Sequence, residues 1–286
     1  MNTSKSRLLF ELLFVILACT LAACGAKQPL VASPTSTGAA QVEITHTLEG
    51  KPTATVQPSQ ERNLPTQTAT PEGVKISRDV HLDPALKNSQ DEILVNQYLY
   101  EELFRLDENG VLQPALAESW LAADDGLSFI IHVRQKVTFH DGSPLDADSV
   151  LANLNRWFDP HNPLRGKTGE YQAWKEFFGG FKGEKGEGGQ PLSPVDGFEK
   201  ENDFTLIIHL NRPAPNLLKN LAQAEFAIVC PGVLLRSGDF YGTRNGGAVG
   251  TGAYMLAEWT DVYLVLVPNP NYWGELPEKP LRFYWH

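Results

Sequence analysis

The chain has 286 residues, a formal net charge of −10 and 42% hydrophobic residues, enough to bury a core in one large or two modest domains. The acidic balance argues against a nucleic-acid partner, because neutralising phosphates needs clustered Lys and Arg. The one dense glycine/charge run, residues 180–189, mixes both signs and reads as a solvated loop.

At the N-terminus, Lys5 and Arg7 form a short positive region, and an apolar stretch runs from Leu12 to Ala23. It is too short and interrupted for a membrane span but suits a signal peptide. It ends in Leu21-Ala22-Ala23-Cys24-Gly25, which resembles a bacterial lipobox. Small residues before the cysteine fit a narrow peptidase groove, and the Cys24 thiol would take the lipid. Glu11, at the edge of the apolar run, is the one departure. Removing residues 1–23 deletes Lys5, Arg7 and Glu11 and takes the net charge from −10 to −11. Cys19 lies inside the signal peptide and Cys24 is the lipid site, so Cys230 is left alone and reads as a small buried hydrophobe.

Residues 24–72 are rich in Thr, Ser and Pro and, after Cys24, contain no aromatic side chain. Such a composition cannot bury enough apolar surface to offset chain entropy, so a disordered tether is expected. As a flexible coil of about 50 residues it would reach on the order of 35–40 Å.

From Gly73 onward several elements can be placed. Ser89 and Glu92 match a capping box that opens a helix reaching about Leu103. Residues 128–133 and 136–139 read as paired strands, followed by a turn at His140-Asp141-Gly142. Asp146 caps a second helix with Val150, Leu151, Leu154 and Trp157 on its buried side. Residues 204–210 read as a strand by β-branched content. Pro215 opens a helix through Leu217, Leu218 and Leu221, and residues 254–259 and 262–267 form a hairpin. Strand runs mixed with well-capped helices define an α/β fold. Trp120 reads as a core anchor. His140 reads as a solvated turn residue or a ligand contact. Gly250-Thr251-Gly252 reads as a tight turn that needs glycine dihedrals, or as an anion nest.

Several segments, in order, resemble bacterial solute-binding proteins of family 5, which serve peptide, nickel and related ABC importers. They are Leu82-Asp83-Pro84-Ala85-Leu86, residues 100–107, Pro114-Ala115-Leu116-Ala117-Glu118-Ser119-Trp120, residues 133–150, Gly250-Thr251-Gly252-Ala253-Tyr254 and Asn269-Pro270-Asn271-Tyr272-Trp273-Gly274. Glu102, where many members have Gly, and Ala253, where many have Pro, depart from the pattern. The resemblance implies a type II periplasmic-binding-protein lobe with a mixed sheet and an appended subdomain. It places the first lobe at residues 73–267 and the start of the crossover to an absent second lobe at 268–286. Lys87, Asn88, Ser89 and Gln90 match a loop that borders the ligand in peptide-binding members, and Tyr171 falls where an aromatic near the ligand can occur. The acidic residue sometimes found in that loop is not present.

The function so implied is capture of short peptides outside the cytoplasmic membrane, by closure of two lobes, for delivery to ABC permease subunits. The protein is expected to be a monomer, anchored through Cys24, with no cofactor, no metal and no catalytic residue. The same resemblance leaves nickel chelate, an oligosaccharide or another solute open as the ligand. A truncated, non-functional fragment is a further reading, since the aromatic run at residues 281–286 would leave an apolar strand without partners. A secreted hydrolase is disfavoured: the sequence holds neither His-Glu-x-x-His nor Gly-x-Ser-x-Gly.

Overall fold

The computed structural model describes residues 73–86, 88–167 and 170–286. Cys24, Lys87, the signal sequence and the tether lie outside the described residues. In chain order the elements are β1 (Val74–Ile76), α1 (Gln90–Leu99), β2 (Glu101–Glu102), β3 (Phe104–Leu106), β4 (Leu112–Pro114), β5 (Ala117–Ala122), β6 (Ser128–Val133), α2 (Ala147–Phe158), α3 (Gln172–Phe178), β7 (Val195–Asn202), β8 (Thr205–Leu210), α4 (Leu217–Asn220), β9 (Ala227–Ile228), α5 (Pro231–Ser237), β10 (Tyr254–Trp259), β11 (Tyr263–Pro268) and β12 (Leu281–Trp285).

Two four-stranded sheets organise two cores. The first has the order β1-β12-β11-β10 and is mixed: β1 runs parallel to β12, while β12–β11 and β11–β10 are antiparallel. It follows that β1, β10 and β12 point the same way, and Ile76, Trp259 and Trp285 end at one edge. Helix α1 covers a face of this sheet. Val95, Tyr98 and Leu99 pack into the core formed with Leu264, Leu266 and Phe283, and Tyr98 meets Tyr254 edge-on at 5.5 Å. The second sheet, β5-β6-β8-β7, is antiparallel. Helix α2 packs on it through Val150, Leu154 and Trp157, all at most 1% exposed.

Both helix starts obey the chemistry read from the sequence. The Ser89 side chain accepts from the Glu92 N–H, and the Glu92 carboxylate accepts from the Ser89 N–H. At α2, Asp146 accepts from the Ser149 N–H at 2.8 Å, and Ser149 Oγ accepts from the Asp146 N–H at 2.9 Å. The hairpin of residues 254–268 also forms as expected, with a bulge between Leu256 and Glu258.

Three expectations are corrected and one, for Trp120, holds. Helix α1 stops at Leu99 because Tyr100 turns extended (φ −125°, ψ 163°) and Glu101 pairs with Ile228. Residues 136–139 form no strand: Lys136 takes a positive φ of 63°, and only an isolated bridge joins Thr138 to Pro144. The partners of β6 are instead β5 and β8. Trp120, on β5, anchors to the core as expected, half-buried and edge-on to the buried Phe104 at 5.2 Å. The aromatic segment β12 is flanked on both sides, by β1 and β11, and so is not an unpartnered strand.

Candidate functional site

The described residues around the loop expected to border a ligand, 83–86 and 88–90, are tied by hydrogen bonds from behind. Asp83 sits at its start, 3% exposed, where its Oδ1 accepts from the Ala85 N–H at 3.2 Å. The Asn88 amide donates to the carbonyls of Pro84 and Leu86 at 2.8 and 2.6 Å, and its oxygen accepts from Asn96. These bonds curl the chain into the N-cap at Ser89. Ser89 and Gln90 are both exposed, at the first turn of α1.

The anchor beneath the loop is a buried ion pair. Arg156 of α2 reaches Asp83 through both terminal nitrogens, with Nη1 donating to Oδ1 at 3.1 Å and Nη2 to Oδ2. Its Nε donates to the Leu164 carbonyl at 3.0 Å. Burial opposes the charged guanidinium, yet Asp83 beside it holds the Arg156 pKa above its ordinary value. Tyr100 Oη donates to the Leu82 carbonyl at 2.7 Å and lies 3.1 Å from Tyr241 Oη. Burial raises the pKa of both phenols, so they stay neutral.

Tyr171 is brought to the same place from the start of α3. Its backbone is left-handed (φ 49°, ψ 43°). Its ring lies under the guanidinium groups of Arg165 at 4.1 Å and Arg156 at 5.1 Å. Its hydroxyl donates to the Arg165 carbonyl at 2.9 Å, and burial pushes its pKa up to about 12. At 2% exposure, Tyr171 supports the ion pair from the interior. Two segments far apart in sequence, 83–90 and 171, thus converge on Asp83–Arg156. Arg156 was missed in the sequence. Its signal is a polar stripe, Ser149, Asn153 and Arg156, at helical spacing beside the apolar one; all three are buried.

His140 and the Gly-Thr-Gly segment are built as a latch. His140 Nδ1 accepts from the Gly250 N–H at 3.2 Å, and Nε2 lies 3.1 Å from the Gly252 carbonyl, which makes Nε2 the protonated nitrogen. The Gly252 N–H donates to the Leu99 carbonyl, closing the end of α1. With these N–H groups engaged, the tight-packing reading holds rather than the anion nest. The need for glycine is close approach, not dihedral freedom. A Cβ on Gly250 would lie 2.2 Å from Leu99 O, and one on Gly252 2.3 Å from Tyr98 O. Behind the latch, the buried Glu101 accepts from Thr251, Tyr272 and Trp273, which pins Asn271-Tyr272-Trp273-Gly274 to the core. Cys230 is buried and packs at 3.5 Å from Asp141 and Ser143.

The mixed sheet covered by a capped helix, with a second antiparallel sheet appended, superposes on part of solved periplasmic binding proteins and has their α/β fold. The chain belongs to the bacterial extracellular solute-binding proteins, family 5, whose middle-region model matches residues 111–282. Among its relatives, the glutathione-binding protein GsiB of Salmonella paratyphi A is 32% identical over 195 residues, 68% of this chain and 33% of that protein. This chain therefore spans about a third of the length of the curated relatives it matches. The oligopeptide-binding protein AppA of Bacillus subtilis, solved with a nonapeptide, superposes with a TM-score of 0.58 at 20% identity, over 74% of this chain and 39% of that one. A nickel ABC transporter structure from Bacillus halodurans gives a TM-score of 0.54 at 26% identity, over 74% and 38%.

Proposed function

We propose that this chain contributes the first lobe of the substrate-binding component of an ABC importer, with β12 an interior strand of that lobe's first sheet. The component captures short peptides outside the cytoplasmic membrane and delivers them to permease subunits. The observation that carries this reading is the braced loop ending in exposed Ser89 and Gln90, set in a family 5 lobe. Glutathione and a nonapeptide among the ligands named for its relatives favour a peptide-like solute.

In this reading an open cleft admits an extended peptide whose backbone pairs with groups at the loop, as in strand addition. Closure against an opposing lobe buries it, and the ligand's preference for the closed form shifts the population. Asn88, Ser89, Gln90 and, outside the described residues, Lys87 form the border. Tyr171 acts through Arg156 to hold that border in place. The protein binds and releases its ligand unchanged, works as a monomer, and is anchored in the membrane through Cys24.

The test is incubation of the purified full chain with a defined peptide library, followed by mass spectrometry of what it retains. Intact short peptides recovered from a stable complex support the reading. Cleaved products would place the chain among hydrolases, and retention of metal chelates or saccharides in place of peptides would change the solute.

A further inference from the structure

The chain contains two Asn-Gly steps, Asn109-Gly110 and Asn245-Gly246. Such a step is self-reactive: glycine has no side chain to block the approach, so its backbone nitrogen can close onto the preceding amide side chain. Closure requires the peptide between the two residues to rotate, which carries the glycine with it. Both asparagines are exposed, so exposure does not separate them. The freedom of the glycine does.

Gly246 is clamped. A Cβ there would overlap the Phe240 carbonyl and lie 2.7 Å from Tyr241 N, so backbone fills the space beside its α-carbon. Its carbonyl accepts from Ser237 Oγ at 2.7 Å. Around it, Gly247 N–H donates to Thr243 O at 2.9 Å, Gly242 N–H to Gly247 O at 2.8 Å and Leu82 N–H to Gly242 O at 2.6 Å. Tyr241 and Ala248, 1% and 2% exposed, root the segment in the core. Freeing the peptide after Asn245 means pulling these residues away.

Gly110 sits at the tip of the β3–β4 hairpin, with a φ of 71° and no atom within 4 Å of where a Cβ would stand. Strands β3 and β4 form a sheet of their own, paired only at Phe104 with Pro114, Arg105 with Gln113 and Leu106 with Leu112. A two-stranded ribbon this short is marginal, and its tip opens locally at little cost while Phe104 stays in the core. One side chain opposes the opening. Asp107 Oδ1 accepts from the N–H groups of Asn109 and Val111, both at 2.9 Å, and Oδ2 accepts from the Gln113 amide at 3.0 Å. The Gly110 N–H donates to the Asp107 carbonyl at 2.9 Å, a bond that must break before the nitrogen reacts.

We propose that Asn109 is a site of spontaneous modification to aspartate and isoaspartate, with Asp107 as its brake. The Gly110 nitrogen bonds to Asn109 Cγ and gives up its proton. The side-chain amide nitrogen leaves as ammonia, taking that proton with it. Water then adds to either carbonyl of the cyclic imide and opens its C–N bond, which leaves aspartate or isoaspartate at this position. No oxidant or cofactor enters. Either product sets a new carboxylate near Asp107. Isoaspartate also adds a carbon to the backbone of the turn, which disrupts the bond from Asp107 N–H to Val111 O. The site stands independently of the importer reading.

The test incubates the purified full chain in heavy-oxygen water at mildly alkaline pH and maps its peptides by mass spectrometry. Electron-transfer fragmentation separates isoaspartate from aspartate. We expect label at Asn109 to build up about tenfold faster than at Asn245, and the two rates to converge in guanidinium chloride, where the fold no longer separates them. Asp107→Ala should speed the reaction at Asn109 several-fold and leave the slow rate at Asn245 unchanged, which also reports that the variant is folded. If it speeds both sites, the fold has loosened and the ratio in the parent decides. The proposal is overturned if Asn245 reacts as fast as Asn109 in the folded parent, if neither gains label, or if Asp107→Ala does not raise the rate at Asn109.

Discussion

Asp83 and Arg156, 73 residues apart in sequence, meet as a two-pronged ion pair with side chains 4% and 2% exposed. A pair this deep gains little over well-packed apolar groups, because desolvation offsets most of the attraction, but breaking it strands a buried charge. Arg156→Met should therefore cost about 3–5 kcal/mol in denaturant unfolding. The double variant Asp83→Leu/Arg156→Met should recover much of that loss. An Arg156→Met protein as stable as the parent would show that the pair carries no such constraint. Hydrogen exchange should localise the remaining effect in the double variant to residues 82–90, whose tie to α2 is gone.

His140 sets a pH limit. Burial lowers its pKa to about 4, against about 6.5 in an unfolded chain. A group whose folded pKa is depressed favours the folded state while it is neutral. Its contribution is full above about pH 6.5 and is lost as pH falls from there toward 4, with an upper bound of about 3 kcal/mol. Protonation at Nδ1 also removes the acceptor used by the Gly250 N–H. Comparing unfolding free energies of the parent and His140→Gln at pH 7 and pH 4.5 should show a smaller acid loss in the variant. Equal losses would place the acid sensitivity elsewhere.

The parts of the fold legible in the sequence were those set by local rules. The caps at Ser89 and Asp146, the apolar face of α2 and the hairpin of residues 254–268 each rest on residues within a few positions of one another. What was missed depended on long-range pairing. Residues 136–139 alternate like a strand, yet β6 already has β5 and β8 on its two sides, so no edge is left for them. Helix α1 lost its expected last turn to pairing with β9, more than a hundred residues away. The loop at residues 87–90 could be picked out by its resemblance to a family, but the ion pair beneath it could not, since neither Asp83 nor Arg156 announces its partner. Trp259 and Trp285 likewise look like ordinary strand residues until β10 and β12 are seen to end at the same edge.

The Gly250-Thr251-Gly252 latch predicts a sharp contrast between glycines. A methyl group on Gly250 meets Leu99 O at 2.2 Å, and one on Gly252 meets Tyr98 O at 2.3 Å; both obstacles are backbone at the end of α1. Either alanine variant should destabilise the chain by well above the ~1 kcal/mol of an average substitution. Gly197→Ala, in β7, has no atom within 4 Å of the added carbon and should be neutral or mildly stabilising. Thermal melts of the three variants decide it, and equal melting temperatures would mean that the latch yields without cost.

The anchor can be tested separately from the fold. If Cys24 takes the lipid, then Cys24→Ala, or globomycin treatment of cells making the parent, should block processing. The unprocessed chain keeps residues 1–23 and runs larger, and labelling with a radioactive fatty acid disappears. If residues 24–72 act as a tether between Cys24 and the described residues, which start at Gly73, the melting temperature should be the same in lipidated and unlipidated forms. Because a single acyl chain gives only marginal membrane binding, the processed protein should carry more than one chain and stay with the membrane after a high-salt wash. Mature protein of unchanged mobility and labelling from the Cys24→Ala gene would rule the anchor out while leaving the solute-binding reading of residues 73–286 untouched.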